Sequence, residues 1–296
     1  MLIALLIPLA LATLVYAVMV LRAALATRSG PGTEAIVLGA VTNFFDTLGI
    51  GSFAPTMAWF KFRKLVPDRL IPCTMLVGHT LPVIAQAVIF LILLGVLVDP
   101  VLLVGCIIAL VMGGLVGAPL VAKAQVWVVQ LVVGMALLVA ASLYGLANMD
   151  LMPGGGTASS LPPALLVVAI VGNFVMGVLL NFGVGHYAPT LVLLSLMGLD
   201  PRLCFPIMAA GGAFTMVGSS IRHISMGKMD LRIVIGIALG GIPAVLVAAF
   251  LVKSMPVEML RWLVIVVVLY AAIVMLREAV IGWRSRAQAE ALVASG

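Results

Sequence analysis

The chain has 296 residues, of which 64% are hydrophobic and only 9% are charged, and its formal net charge is +6. This balance excludes a soluble globular domain and indicates a polytopic helical membrane protein. The charge does not support nucleic-acid binding, because no soluble domain is present to carry a basic face. The three cysteines, Cys73, Cys106 and Cys204, have no metal-ligand spacing and are interpreted as small core residues.

The first predicted element is an apolar helix from Leu2 to Leu21, followed by Arg22 and Arg28. A secretory signal peptide has its basic residues before the apolar stretch, so this order predicts an uncleaved transmembrane helix. Its N-terminus is expected outside, because basic residues gather in cytoplasmic loops. Residues 1–34 are therefore interpreted as an N-terminal helix and loop.

An interrupted apolar segment, Ile36 to Phe62, opens the first repeat, residues 35–147. Gly49-Ile50-Gly51 and Ala54-Pro55-Thr56 stand where a helix should continue. Gly relaxes the backbone and Pro suits the first turn of a new helix, so two half-helices that meet at a break are expected. The arm Ile36–Leu48 would be about 20 Å long, too short for a hydrocarbon core of about 30 Å. This length predicts a re-entrant hairpin.

The remaining segments follow the same plan twice. Apolar spans are predicted at Leu70–Val98, Val101–Ala122 and Val126–Leu146, and the linker 148–163 contains no Lys or Arg. The second repeat, residues 164–283, has a broken segment and then three spans, at Ala164–Met197, Leu203–Ile221, Leu231–Val252 and Met259–Ile281. The tail, residues 284–296, carries Arg284 and Arg286 and is expected in the cytoplasm.

The two breaks recur at one offset, since 183 − 49 = 134 and 190 − 56 = 134. Gly, Pro and Thr match in register, in the pairs Gly49/Gly183, Gly51/Gly185, Pro55/Pro189 and Thr56/Thr190. Such matches indicate an internal duplication. Broken segments at corresponding places in two halves are a strong sequence indicator of a transporter binding site.

The basic residues predict opposite orientations for the two repeats. If the first broken segment crossed the membrane, the basic loops before and after it would face opposite sides, against the positive-inside rule. A re-entrant hairpin instead leaves only Arg202, Lys253 and Arg261 outside. The predicted fold is an all-α membrane protein of two inverted repeats, each a Gly-x-Gly-broken re-entrant hairpin plus three transmembrane helices, with one extra N-terminal helix. The arm Ala164–Phe182 is longer, so the second hairpin is compatible with either a re-entrant or a nearly spanning arm.

The residues at the breaks are the expected anion site. Half-helices that begin near Gly51 and Gly185 would direct free N–H groups and positive partial charge at the breaks, which suits an anion. The alternative is that Gly-x-Gly only permits close helix packing. The expected substrate-binding residues are Gly49, Gly51, Ser52, Thr56, Gly183, Gly185, His186, Tyr187 and Thr190.

Polar side chains on the arms form a second group. A carboxylate within the membrane is costly and indicates function, and an ionised Asp46 would repel an anion, so Asp46 is a candidate for proton coupling. The alternatives are a structural hydrogen bond from Asp46 to a helix end or to His79, and satisfied polar roles for the histidines. The expected proton-coupling or polar-pocket residues are Asn43, Asp46, His79 and Asn181, with no catalytic residue, metal or cofactor.

The two glycine breaks, each with a Pro four residues later, and Gly227-Lys228-Met229-Asp230 resemble the sulfite exporter (TauE/SafE) family of membrane permeases. The resemblance covers roughly residues 35–283. It implies movement of small anions, often sulfite or organosulfonates, across the bacterial inner membrane, and it suggests export.

We therefore expect a secondary transporter, not an enzyme, that moves a small anion (sulfite, sulfonate or carboxylate) by alternating access in the bilayer, with protons as the candidate coupling ion. A lipid-pyrophosphate phosphatase is an alternative, but it needs clustered acids or a Ser/His base with an Arg at the phosphate. The break regions contain one acid, Asp46, and no Arg. An anion channel and an accessory subunit are further alternatives.

Overall fold

The computed structural model describes residues 2–67, 70–117, 125–149, 156–180, 185–227 and 229–294. These residues form eleven α-helices and contain no strand apart from an isolated bridge between Ala158 and Leu199. The prediction of an all-helical fold is therefore confirmed. The helices are α1 (Leu2–Thr27), α2 (Thr33–Thr47), α3 (Phe53–Arg63), α4 (Ile71–Leu93), α5 (Pro100–Gly117), α6 (Val126–Asn148), α7 (Pro163–Leu180), α8 (Tyr187–Leu196), α9 (Pro201–Met226), α10 (Leu231–Ser254) and α11 (Val257–Ala294).

Eight of these helices are long and apolar enough to cross a membrane, namely α1, α4, α5, α6, α7, α9, α10 and α11. The chain is therefore a multi-pass membrane protein. Seven of the eight coincide with predicted spans. The eighth, α7, is the first arm of the second broken segment, so its re-entrant or spanning character stays open. Large apolar side chains are exposed along α1, α7 and α10, for example Leu25, Val167 and Val247, where lipid would cover them.

The helices of the two halves correspond in position and in packing. Helices α3 and α8 begin 134 residues apart, at Phe53 and Tyr187. Helix α2 packs along α10, while α7, the counterpart of α2, packs along α5, the counterpart of α10. Helix α4 packs against its counterpart α9, and α6 against α11. The orientation of each half in the membrane stays a prediction.

Glycines allow the arm helices α2 and α7 to approach the opposite half closely. A Cβ atom added at Gly240 of α10 would lie 1.9 Å from the carbonyl oxygen of Ile36 in α2. One added at Gly113 of α5 would lie 2.0 Å from the carbonyl oxygen of Phe174 in α7. Backbones can approach this closely only where side chains are absent. Each arm is thus packed directly on the half of the chain to which it does not belong.

The main apolar core lies between the helices around the crossing of α4 and α9. The rings of Phe90 and Phe205 lie there with their centroids 5.1 Å apart. Cys106 and Cys204 are fully buried in this core as free thiols, while Cys73 is half-buried and its Sγ lies 3.2 Å from His223 Nδ1. The short helix α8 lies inside this core, whereas α3 is largely exposed and buries only Thr56 and Phe60.

Candidate functional site

The first break separates α2 from α3 through two glycines with positive φ. Gly49 has φ +97° and Gly51 has φ +88°, which side chains with a Cβ rarely adopt. The chain leaves α2 after Thr47, and α3 starts at Phe53 with Ser52 as its N-cap. The two short helices are therefore joined by a tight turn whose backbone N–H groups lie at the start of α3.

The carboxylate of Asp46 lies at the start of α3. Its Oδ1 accepts a hydrogen bond from the Ser52 N–H at 2.7 Å, and Asp46 is only 7% exposed. A negative charge at a helix N-terminus is favourable because of the helix dipole. Of the alternatives for Asp46, the hydrogen bond to a helix end is present in the structure, while the bond to His79 is not among its contacts. Proton coupling stays a prediction.

His79 joins α4 to both arms of the first broken segment. Its Nδ1 lies 2.9 Å from Asn43 Oδ1 in α2, and its Nε2 lies 3.0 Å from Thr56 Oγ1 in α3. Asn43 Nδ2 donates to the Gly39 carbonyl at 2.7 Å, and Thr56 Oγ1 also lies 2.7 Å from the Ser52 carbonyl oxygen. All of these polar side chains are buried.

The hydroxyl of Thr56 has one proton for two acceptors. If His79 is neutral and its Nδ1 donates to Asn43, its Nε2 must accept the Thr56 proton, and the Ser52 carbonyl then loses this donor. If His79 is protonated, Nε2 donates to Thr56, and Thr56 donates to Ser52. The protonation state of His79 therefore determines which hydrogen bonds form at the first break.

The second break is described from Gly185 onward, and the predicted site residues Asn181 and Gly183 lie outside the described residues. His186 is the N-cap of α8, and its Nε2 donates to the Met208 carbonyl of α9 at 3.1 Å. The Tyr187 hydroxyl donates to Gln86 Oε1 of α4 at 2.8 Å. The His186 ring also packs edge-on against Tyr187 and lies over Gly212.

The first break and α8 meet inside the fold. A Cβ atom at Gly49 would lie 3.6 Å from the side chain of Leu191, which follows Thr190 in α8. Asp46 lies within electrostatic range of Tyr187. The structure thus brings Gly49 and Asp46 of the first break close to α8, which carries Tyr187 and Thr190, while His79 contacts Asn43 and Thr56 of the first broken segment. These polar side chains are buried, so this conformation is closed around the two tips.

Three buried polar atoms of the first break, α4 and α8 have no hydrogen-bond partner of ordinary geometry within the part of the chain that the structure describes: Ser52 Oγ, Gln86 Nε2 and Thr190 Oγ1. Ser52 is 1% exposed, and Thr190 and Gln86 are fully buried. A buried polar group without a partner costs about 1–3 kcal/mol, so each of the three calls for an explanation. All three can donate a hydrogen bond to a small acceptor.

Gln86 is the residue of this group that the sequence-based site does not include. It follows His79 by seven residues, which places both side chains on one face of α4. That spacing is the sequence signal that identifies it.

The site contains hydrogen-bond donors, but no lysine or arginine lies near either break in the sequence. No Lys or Arg occurs between Arg28 and Lys61, or between Lys123 and Arg202. At the far ends of α2 and α3, Arg63 Nε donates to Glu34 Oε1 at 2.9 Å, and this hydrogen bond lowers the pKa of Glu34. No group of three His, Cys, Asp or Glu residues able to hold a metal occurs among the described residues. The arrangement is therefore suited to binding a small anion through N–H and O–H donors.

Comparison with known proteins gives a family match for part of the chain. Residues 164–295 match the family described as Sulfite exporter TauE/SafE, which covers the second broken segment and the helices after it. The resemblance to this family is thereby confirmed over that range. No curated protein and no solved structure is significantly similar to the chain.

Proposed function

We propose that the protein is an inner-membrane secondary transporter, because residues 164–295 match the family described as Sulfite exporter TauE/SafE. Its substrate is a small anion such as sulfite or an organosulfonate, and the direction of transport is export. The N-terminus lies outside and the C-terminal tail in the cytoplasm, as the distribution of basic residues predicts.

The observation that carries this proposal is the pair of unpartnered, buried hydroxyls at the starts of α3 and α8. Ser52 Oγ and Thr190 Oγ1 both lie at helix N-termini, where backbone N–H groups and the helix dipole favour a negative charge. An anion with several oxygen atoms accepts from both hydroxyls together. Oxygen acceptors of this kind are common to sulfite, sulfonates and carboxylates.

The buried tips and the exchanged packing of the arms support an alternating-access mechanism. The anion is enclosed between the two breaks, and one half of the chain then moves relative to the other to expose it on either side. The packing of α2 on α10 and of α7 on α5 supports this proposal, because each arm moves with the opposite half. The burial of Ser52 and Thr190 favours a carrier over an open channel.

The phosphatase alternative has less support from the geometry. Both ring nitrogens of His79 and Nε2 of His186 are in contact with protein atoms, so neither histidine offers a free base beside Ser52. Asp46 is the acid at the described tips, and its Oδ1 is hydrogen-bonded to Ser52.

Sulfite efflux from proteoliposomes tests the proposal. We expect the wild type to release trapped sulfite, and the S52A/T190V double variant to bind sulfite roughly 100-fold or more weakly, because hydrogen bonds to charged groups contribute about 1.5–3 kcal/mol each. T42V is the matched control, since the buried Thr42 hydroxyl donates to the Leu38 carbonyl within α2.

Two results would contradict the proposal. One is the absence of flux of sulfite, sulfonates and carboxylates through folded wild-type protein. The other is a double variant that transports sulfite as well as T42V does.

A further inference from the structure

We propose that the Asp46 carboxylate occupies the place of the substrate anion at the start of α3, and that the substrate enters only when Asp46 takes up a proton and withdraws. The inference rests on the proposed function and deepens it, because it assigns the residue that carries the coupling proton.

The geometry shows a carboxylate already bound where an anion is expected. Asp46 Oδ1 accepts from the Ser52 N–H at 2.7 Å, at the N-terminus of α3. The side chain of the same residue, Ser52, is buried and its Oγ has no partner in the described residues. The Asp46 carboxylate therefore uses the backbone donor of Ser52, while the Ser52 hydroxyl lies close enough to interact with Asp46 but makes no hydrogen bond of ordinary geometry with it. A substrate with several oxygens can use both.

The surroundings of Asp46 do not neutralise a second negative charge. Helix α10, packed along α2, carries titratable side chains only at its ends, at Arg232 and Lys253. Helix α4 presents His79, whose two nitrogens contact Asn43 and Thr56.

The other neighbouring elements add no cation beside Asp46. The titratable residue of helix α8 is Tyr187, and His186 lies directly before this helix. Helix α11 contacts the first break through Val267, which lies beside Gly49. The basic residues of α3, Lys61 and Arg63, lie at its opposite end.

Charge balance then defines the step. Two anions at one buried helix terminus repel strongly in a medium of low dielectric constant. A proton from solution converts the Asp46 carboxylate to the carboxylic acid, the Ser52 N–H is released, and the substrate oxygen accepts it. For a monoanion such as hydrogen sulfite or a sulfonate, the tip carries one negative charge before and after the exchange. One proton therefore accompanies each anion that binds.

The consequence is a defined pH dependence of sulfite binding. Where Asp46 is ionised in the free protein, the apparent dissociation constant rises tenfold for each unit of pH, because binding takes up one proton. D46N retains an oxygen acceptor for the Ser52 N–H but cannot take up a proton. The dissociation constant of D46N therefore lacks this tenfold rise per unit of pH. Sulfite has its own acid–base equilibrium, which is identical for both proteins and cancels in the ratio of their dissociation constants.

The test is sulfite binding to the full-length protein by isothermal titration calorimetry over about three pH units, for wild type, D46N and T42V. We expect the ratio of the wild-type to the D46N dissociation constant to rise tenfold per pH unit across part of this range. T42V should follow the wild type, because the Thr42 hydroxyl donates to the Leu38 carbonyl within α2. A ratio that stays constant with pH would show that Asp46 is only a helix cap and would overturn the inference.

A second measurement does not depend on the folding of D46N. The infrared difference spectrum of the wild type on addition of sulfite should gain the C=O band of one protonated carboxylic acid, and D46E should shift that band. Absence of the band on sulfite binding would also overturn the inference. If folded wild type binds no sulfite at any pH, the proposed function fails as well, which is a different outcome from binding with a constant ratio.

Discussion

The packing of α2 on α10 predicts that the smallest possible side chain at Gly240 destabilises the protein. A Cβ atom there would lie 1.9 Å from the Ile36 carbonyl oxygen, 2.7 Å from its carbonyl carbon and 3.0 Å from the Ala40 nitrogen. All three are backbone atoms, so no side-chain rotation relieves the contact. Since ordinary van der Waals contact begins near 3.4 Å, the helices must separate by about 1.5 Å, the difference between 3.4 and 1.9 Å.

Overpacking of this kind costs about 1–3 kcal/mol. G218A is the matched control, because Gly218 is also inside a helix, α9, and an added Cβ atom meets nothing within 4 Å. Both variants gain the same helix propensity, about 1 kcal/mol over Gly. The difference between them therefore isolates the steric contribution.

The assay is reversible unfolding in detergent, followed by circular dichroism, with sulfite binding measured on the same samples. We expect G240A to be less stable than G218A by about 1–3 kcal/mol. It should also bind sulfite more weakly, because α2 leads into the turn that positions Ser52 at the start of α3. Equal stability of the two variants would refute the close contact between α2 and α10.

Three further predictions concern the breaks and helix contacts. G51A should lose about 1–2 kcal/mol of stability, because Gly51 has φ +88°, which alanine rarely adopts. G185A should lose less, because Gly185 is not among the glycines with positive φ and an added Cβ atom there meets nothing within 4 Å; equal unfolding midpoints of the two variants would contradict this. T80V and S220A should show a coupling of about 0.6 kcal/mol in a double-mutant cycle, because their hydroxyls lie 2.7 Å apart between α4 and α9; zero coupling would exclude the contact. At pH values above the ordinary pKa of glutamate, E34Q should slightly lower the melting temperature. Arg63 lowers the pKa of Glu34, so the difference should vanish as the pH falls through that lowered pKa; a difference that persists in acid would argue against the pair.

Local features of the sequence predicted the helix boundaries at the breaks well. The predicted first arm, Ile36–Leu48, corresponds to α2, which ends at Thr47, and α3 begins two residues before Pro55. Gly and Pro act on their own backbone, so their effect is visible in a single segment. The composition likewise predicted the all-helical membrane fold, because apolar length alone distinguishes spans.

Contacts between distant segments were not predictable in the same way. The matched glycines Gly51 and Gly185 look equivalent in sequence, yet among the described glycines of the breaks only Gly49 and Gly51 have positive φ. The bond from Asp46 to Ser52 depends on how that turn closes, and the packing of α2 on α10 depends on glycines spread over two halves. Small residues occur throughout membrane helices, so their presence does not identify a partner helix.

The most direct test of the central claim, that an anion binds between the two breaks, is an electron cryo-microscopy structure with selenite, a heavier analogue of sulfite. The account predicts density within about 2.7–3.2 Å of both Ser52 Oγ and Thr190 Oγ1, with Asp46 withdrawn from the Ser52 N–H. Selenite bound elsewhere, with the Asp46–Ser52 bond intact and no density between the tips at saturating concentration, would contradict it.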